Sequence, residues 1–313
     1  MPSSSPSYTP VDTASRATTT LWRTLAVLAV VGVLAACSAV QLAYRQAPRL
    51  TLWWVNNQVS LDEAQSAWLA ADLDALAAWH RQTGLPGALS TLRRWQAMAP
   101  QDWTTRQICQ EVADVRSEGE RVARQALPTL ARLSLQLTPA QLQRLSDQHA
   151  DRVAEFREEY LYNTPEDRIK RRLTRSTDRL ESFYGELTPS QRAALRQDLA
   201  RSPYNPAVAL AERERRHRDL LATVRSAQEI AGKRASGDNA ATPPAVEALW
   251  QDWLQRSLYP PTAAAAAHNA AMLQFSCEQL AVWHNRTNTE QRQALVSSLE
   301  DYARDVQSLL GGP

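Results

Sequence analysis

The chain has 313 residues, enough for one or two domains with a real core, and its 44% hydrophobic and 22% charged residues exclude both wholesale disorder and a polytopic membrane protein. Its 35 basic and 33 acidic residues leave a net charge of +2, too little to point to nucleic acid as a partner, and all but two of the basic residues are arginine, the exceptions being Lys170 and Lys233. Nine glycines in a chain rich in Ala, Leu, Arg and Gln exclude a turn-rich sheet protein and predict an all-α fold, a bundle of amphipathic helices.

The first element in chain order is an export signal. A polar lead carrying Arg16 and Arg23 precedes the apolar run from Leu25 to Ala36, which ends at Leu34-Ala35-Ala36-Cys37. This is the pattern of a bacterial lipobox, in which a small residue stands before a cysteine that receives a lipid as the signal peptide is removed. Residues 1–36 are therefore expected to be cleaved, Cys37 to be lipidated, and residues 37–46 to form a tether ahead of a helical domain over 47–313. The alternative is a retained anchor from Leu21 to Val40, long enough to span a bilayer but interrupted by Arg23. Ser38 is not the Asp that holds such proteins at the inner membrane, so attachment to the outer membrane, facing the periplasm, is expected.

Helix starts are then marked in sequence. Ser60-Leu61-Asp62-Glu63 reads as a capping box, and Leu69, Leu73, Leu76 and His80 follow on one stripe. That helix ends in Trp79-His80-Arg81 before a Gly84-Leu85-Pro86-Gly87 break. These three residues are a candidate ligand site, because six of the ten tryptophans (Trp53, Trp54, Trp68, Trp79, Trp95 and Trp103) lie in this region and could form an aromatic cradle. The bland reading is a basic helix C-terminus and core packing.

Downstream, Leu137-Thr138-Pro139-Ala140-Gln141 places a capping Thr, a first-turn Pro and a Gln able to reach back to the cap, and Leu187-Thr188-Pro189-Ser190-Gln191 repeats it. Thr164-Pro165-Glu166-Asp167 and Asn288-Thr289-Glu290-Gln291 open two further helices. Between them Arg168, Arg172, Arg175 and Arg179 recur every three or four residues, one basic stripe that could meet the phosphates of anionic lipid. Its bland reading is a solvated face neutralised by Asp167, Asp178, Glu181 and Glu212 to Glu214. The stretch from about 232 to 244 reads as a flexible surface loop.

Cys109 and Cys277 remain after Cys37 and could form a disulfide in an oxidising compartment, or stay as buried thiols. No Cys or His spacing suits a closed zinc site, Asp147, His149 and Asp151 fall on different helix faces, and no cofactor or metal is expected. Signatures of hydrolases, nucleotide-binding loops and metalloproteases are missing from the sequence.

The order of Cys37, Tyr44, Trp53-Trp54, Gln65, Trp79-His80-Arg81 and Leu85-Pro86 resembles the bacterial lipoproteins grouped as domain of unknown function 6279. Phe156-Arg157-Glu158-Glu159-Tyr160-Leu161, the Arg168 to Arg172 run, the Tyr184-Gly185-Glu186-Leu187 turn and Glu212 to Arg216 extend the likeness to about Leu221. The resemblance implies an envelope lipoprotein and carries no catalytic residue. The two Leu-Thr-x-x-Gln motifs are similar to those of the Spy and CpxP periplasmic helical proteins, a family associated with chaperoning and envelope stress. The expectation is therefore a lipid-anchored, non-enzymatic binding or interaction module of the envelope whose partner is the membrane, an anionic lipid or an envelope protein. The alternatives are a holdase-like chaperone or stress factor, and an enzyme without a recognised motif.

Overall fold

The computed structural model describes residues 39–233 and 242–311, so the signal segment, Cys37 and most of the expected 232–244 loop lie outside the described residues. Among the described residues every regular element is helical. They are α1 (Ala39–Val59), α2 (Glu63–Thr83), α3 (Leu85–Met98), α4 (Thr105–Gln136), α5 (Pro139–Phe156), a π-helical turn (Arg157–Tyr162), α6 (Pro165–Tyr184), α7 (Pro189–Ala200), α8 (Pro206–Gly232), α9 (Pro244–Leu258), α10 (Ala263–Asn285) and α11 (Thr289–Leu310). The chain divides into two units. Of the first, ending at Arg45, the described residues form the opening turns of α1 and are helical where a tether was expected; the second runs from Gln46 onward.

In this second unit α4, 32 residues long, is the central element, packed by α2, α8, α9 and α10, while α11 lies along α3 and also meets α6. One core gathers Leu127, Ala131 and Leu133 of α4, Val224 and Ala227 of α8, and Val246, Trp250 and Leu254 of α9. A second gathers Ala99, Tyr184, Leu187, Leu195, Trp283, Leu295 and Leu299. Burying these apolar faces supplies the main driving force.

Each core is closed by the same polar device. Among the described residues a cap and a glutamine three residues later stand at five helix starts, and four of these glutamines meet in pairs. Gln65 Nε2 donates to Gln141 Oε1 at 3.3 Å while Gln141 Nε2 donates to Gln65 Oε1 at 2.7 Å. Each oxygen also accepts from its own cap's N–H, that of Asp62 at 3.1 Å and of Thr138 at 2.9 Å. Each nitrogen also reaches the backbone two residues before the partner's cap, Gln136 O at 2.9 Å and Ser60 O at 3.0 Å. Gln191 and Gln291 repeat the arrangement: they bond reciprocally at 2.7 and 3.0 Å, accept from Thr188 N and Asn288 N, and donate to Arg286 O and Glu186 O. All four side chains are buried, at 3 to 8% exposure, and each amide fills both donor and both acceptor positions.

The first cap differs from its sequence reading. Asp62 and Gln65 form the box, not Ser60 and Glu63, because Ser60 sits at φ 55 in the turn and Leu61 N is held by Asn56 Oδ1. The Thr138, Thr188 and Asn288 boxes and the Thr164 cap lie where the sequence puts them. The end of α4 has no glycine to turn its last carbonyls toward partners. They are met by side chains instead, Gln228 donating to Ser134 O and Leu137 O and Gln65 to Gln136 O.

Cys109, near the start of α4, is bonded to Cys277 of α10 with 5.3 Å between their Cα atoms, beside buried Ile108 and Ala281. The bond closes a loop of 168 residues, so it restricts the unfolded chain strongly. Replacing both cysteines with Ala is expected to lower stability by about 2–4 kcal/mol without loss of helix content, as read by urea unfolding followed by circular dichroism. An unchanged midpoint would show that the native packing alone holds α4 to α10.

Candidate functional site

Trp79, His80 and Arg81 lie at the corner where α2 meets α3, against the middle of α4. The Arg121 guanidinium lies over the Trp79 ring, 4.6 Å from its centroid, and bonds to Glu118. The His80 ring packs so closely on Gly84 that a Cβ there would stand 2.6 Å from it, which explains the glycine at this corner. Burial pushes the His80 pKa down, against the opposing pull of Glu118, so the ring tends toward its neutral form. The other tryptophans of the expected cradle take different partners. Trp68 lies under Arg132 and bonds to Gln136, Trp95 bonds to Glu111, Trp103 stacks on His284, and Trp53 and Trp54 are exposed on α1.

The arginine stripe of α6 splits into two functions. Arg168 donates to Asn163 O, and Arg175 pairs with Glu159 at 2.8 Å and bonds to the Tyr160 hydroxyl at 3.0 Å, so these two hold the π-helical turn against α6. Within the family-like landmark Phe156 to Leu161, Tyr160 stacks on Phe156. Arg172 and Arg179 have no ion pair among the described residues. Of the acids expected to neutralise the stripe, Glu181 pairs with Arg192, Glu212 with Arg215 and Arg216, and Glu214 with Arg157, Asp167 accepts from Thr164, and Asp178 is exposed beside Arg179. Arg172 is half-buried, donates to Ser202 Oγ at 3.0 Å, and lies 5.6 Å from the Tyr204 ring centroid; burial pushes its pKa down.

Arg172 and Arg179 flank a groove of about 280 Å³ between α6, α7 and α10. Its apolar surface comes from Leu180, Leu195 and Leu199 on one side and Met272, Phe275, Leu280 and Trp283 on the other. The carboxylate at the groove, Asp198, is buried and already paired with Arg201 and, at 3.0 Å, with Arg286. The opening thus combines apolar walls with two cations lacking carboxylate partners. The α10 wall was missed in the sequence, although Met272, Phe275, Gln279, Leu280 and Trp283 recur at helical spacing and Leu280 is exposed.

Each of the remaining histidines contacts another ring, His268 lying 5.8 Å from Tyr204 between centroids. His284 is fully buried, 2.9 Å from Gln101 O through Nε2 and 3.0 Å from the Tyr184 hydroxyl through Nδ1, so the carbonyl assigns the proton to Nε2 and Tyr184 donates to Nδ1. His149 of α5 stacks on His217 of α8 with 3.8 Å between centroids, amid Arg152, Arg213, Arg218 and Glu214. Among the described residues no three His, Cys, Asp or Glu side chains are placed to hold a metal ion.

The model of a family of unknown function, DUF6279, matches residues 57–235, more than half of the chain. No curated protein and no solved structure matches.

The stacked pair makes stability depend on pH. Burial, the neighbouring His149 and the nearby Arg152 and Arg218 push the His217 pKa down from 6.5 to about 4. The unfolded chain then binds more protons than the folded one between those values, so stability falls as pH drops from 6.5 toward 4. Urea midpoints measured across this window should decline with acid for the native protein and decline less for His217→Phe, which keeps a flat ring that cannot protonate. Identical slopes would remove His217 from the account.

Proposed function

The chain belongs to the DUF6279 family, and we propose that it is a lipid-anchored protein of the bacterial envelope whose α6–α7–α10 groove binds a small anionic amphiphile, an acyl chain ending in a carboxylate or phosphate. The observation that carries this reading is the pairing of apolar walls with Arg172 and Arg179, neither of them ion-paired among the described residues. Guanidinium groups give phosphate and carboxylate two parallel donors, and the apolar walls supply burial for methylene groups, about 0.8 kcal/mol each. Such molecules are abundant at a membrane surface. The Leu34-Ala35-Ala36-Cys37 motif behind an apolar run supports export and lipidation of Cys37, with the domain tethered at the outer membrane and facing the periplasm. The Cys109–Cys277 bond supports the same compartment, because disulfides persist where the surroundings oxidise.

Laurate below its micelle concentration is a suitable probe, with dodecanol as the uncharged comparison. Calorimetric titration should show laurate bound more tightly than dodecanol, and Arg172→Gln with Arg179→Gln should weaken laurate by about tenfold or more while leaving dodecanol unchanged. Added salt should act as the substitutions do. Equal affinity for both probes, or laurate binding unaffected by the two substitutions, would reject the groove as an anion-selective site.

A further inference from the structure

The outer face of α1 is apolar, aromatic and free of negative charge. Leu50, Trp53 and Trp54 are 55%, 66% and 57% exposed, while Gln58 and Val59 of the same helix are buried. Leu50, Trp53, Trp54 and Asn57 stand at spacings of three, one and three, which places them on one side of the helix. The opposite side is fixed to the domain. Val55 and Val59 pack into the core with Leu127 and Leu137, and Gln58 accepts a hydrogen bond from Arg152. The outward direction of the tryptophans is therefore set by packing. Two neighbouring indoles left in water are unusual for a stable monomer, and they mark a surface that something covers.

The sequence around this face indicates the occupant. No Asp or Glu occurs between Asp12 and Asp62, whereas Arg45 and Arg49 lie on α1 itself. Cys37, whose lipidation is proposed above, lies two residues before α1 begins at Ala39. Tryptophan favours the headgroup level of a bilayer, where its ring is buried and its N–H remains wet. Arginine beside it favours anionic headgroups. No helix of the described residues is long and apolar enough to cross a membrane.

We infer that α1 lies on the surface of an anionic phospholipid bilayer, with Trp53 and Trp54 inserted at the headgroup level and Arg49 against phosphate. This rests on the membrane attachment proposed above and adds to it a second contact, one that sets how the domain is held at the surface. The groove reading is independent of it.

The test uses the full chain reconstituted into vesicles of phosphatidylethanolamine and phosphatidylglycerol, with and without brominated acyl chains. The fluorescence contributed by Trp53 and Trp54 is the difference between the native chain and the Trp53→Phe/Trp54→Phe variant, whose fold is checked by circular dichroism. That component should lose at least about half its intensity to brominated lipid and be shielded from aqueous iodide. A chain that floats with the vesicles while the component is quenched by iodide and untouched by bromine overturns the inference alone. A component reached by neither quencher overturns it in favour of a second copy of this chain covering the face. A chain that does not float with vesicles overturns both the inference and the attachment beneath it.

Discussion

Four glutamine side chains govern how this helical chain closes. A helix start leaves its first N–H groups without partners, and a capping box satisfies them locally. Here the box glutamine also bonds across to a second box, so the local solution at one helix start becomes the tertiary contact with another. The geometry admits only an amide. Each side chain donates two hydrogen bonds and accepts two, whereas a glutamate would lose both donors and bury a charge against carbonyl oxygens. The paired residues are 76 and 100 positions apart, so the two clasps fix long-range register.

The groove depends on the second clasp. Gln191 and Gln291 fix the starts of α7 and α11, and Glu186 O and Arg286 O, just after α6 and α10, are bound by the same amides. Three helices that wall the groove are thus referred to one buried point. Gly185, at φ 75, makes the turn from α6 into this clasp, a backbone conformation that favours glycine, and Glu181 accepts from Leu187 N to hold it. With the turn set, Leu187 is buried beside Leu195 and Trp283. The positions of Arg172 and Arg179 at the groove follow from the same α6 register.

The helical architecture was legible because caps and apolar periodicity agree along the chain. The clasps were not, since a glutamine three residues after a cap reads as a local device whether or not it is buried. Thr104 and Gln107 make the point within this protein. They form the same box at the start of α4, yet Gln107 is exposed and serves only its own helix. The Ser60 box was misread by two residues because Ser and Asp both cap helices, and only the positive φ at Ser60 separates them. The arginine stripe was legible as a stripe, but its division into two arginines that hold the π turn and two that flank a groove depends on α10, far along the chain. The tryptophans were grouped by sequence proximity, and in the fold Trp95 and Trp103 share a core while Trp68 packs on another and Trp53 and Trp54 face outward.

The most direct test of the clasp as the closing interaction is a double-mutant cycle on Gln65 and Gln141, with Gln107→Ala as the ordinary capping box. Urea unfolding should show each single Ala variant destabilised by about 1–3 kcal/mol, because the surviving glutamine and a backbone carbonyl are left buried without a partner. The double variant should cost little more than either single one, giving a coupling of at least about 1 kcal/mol, and Gln107→Ala should fall at about 1 kcal/mol or less. Additive losses, with each single variant within about 0.5 kcal/mol of the native protein as at a free surface position, would contradict the account.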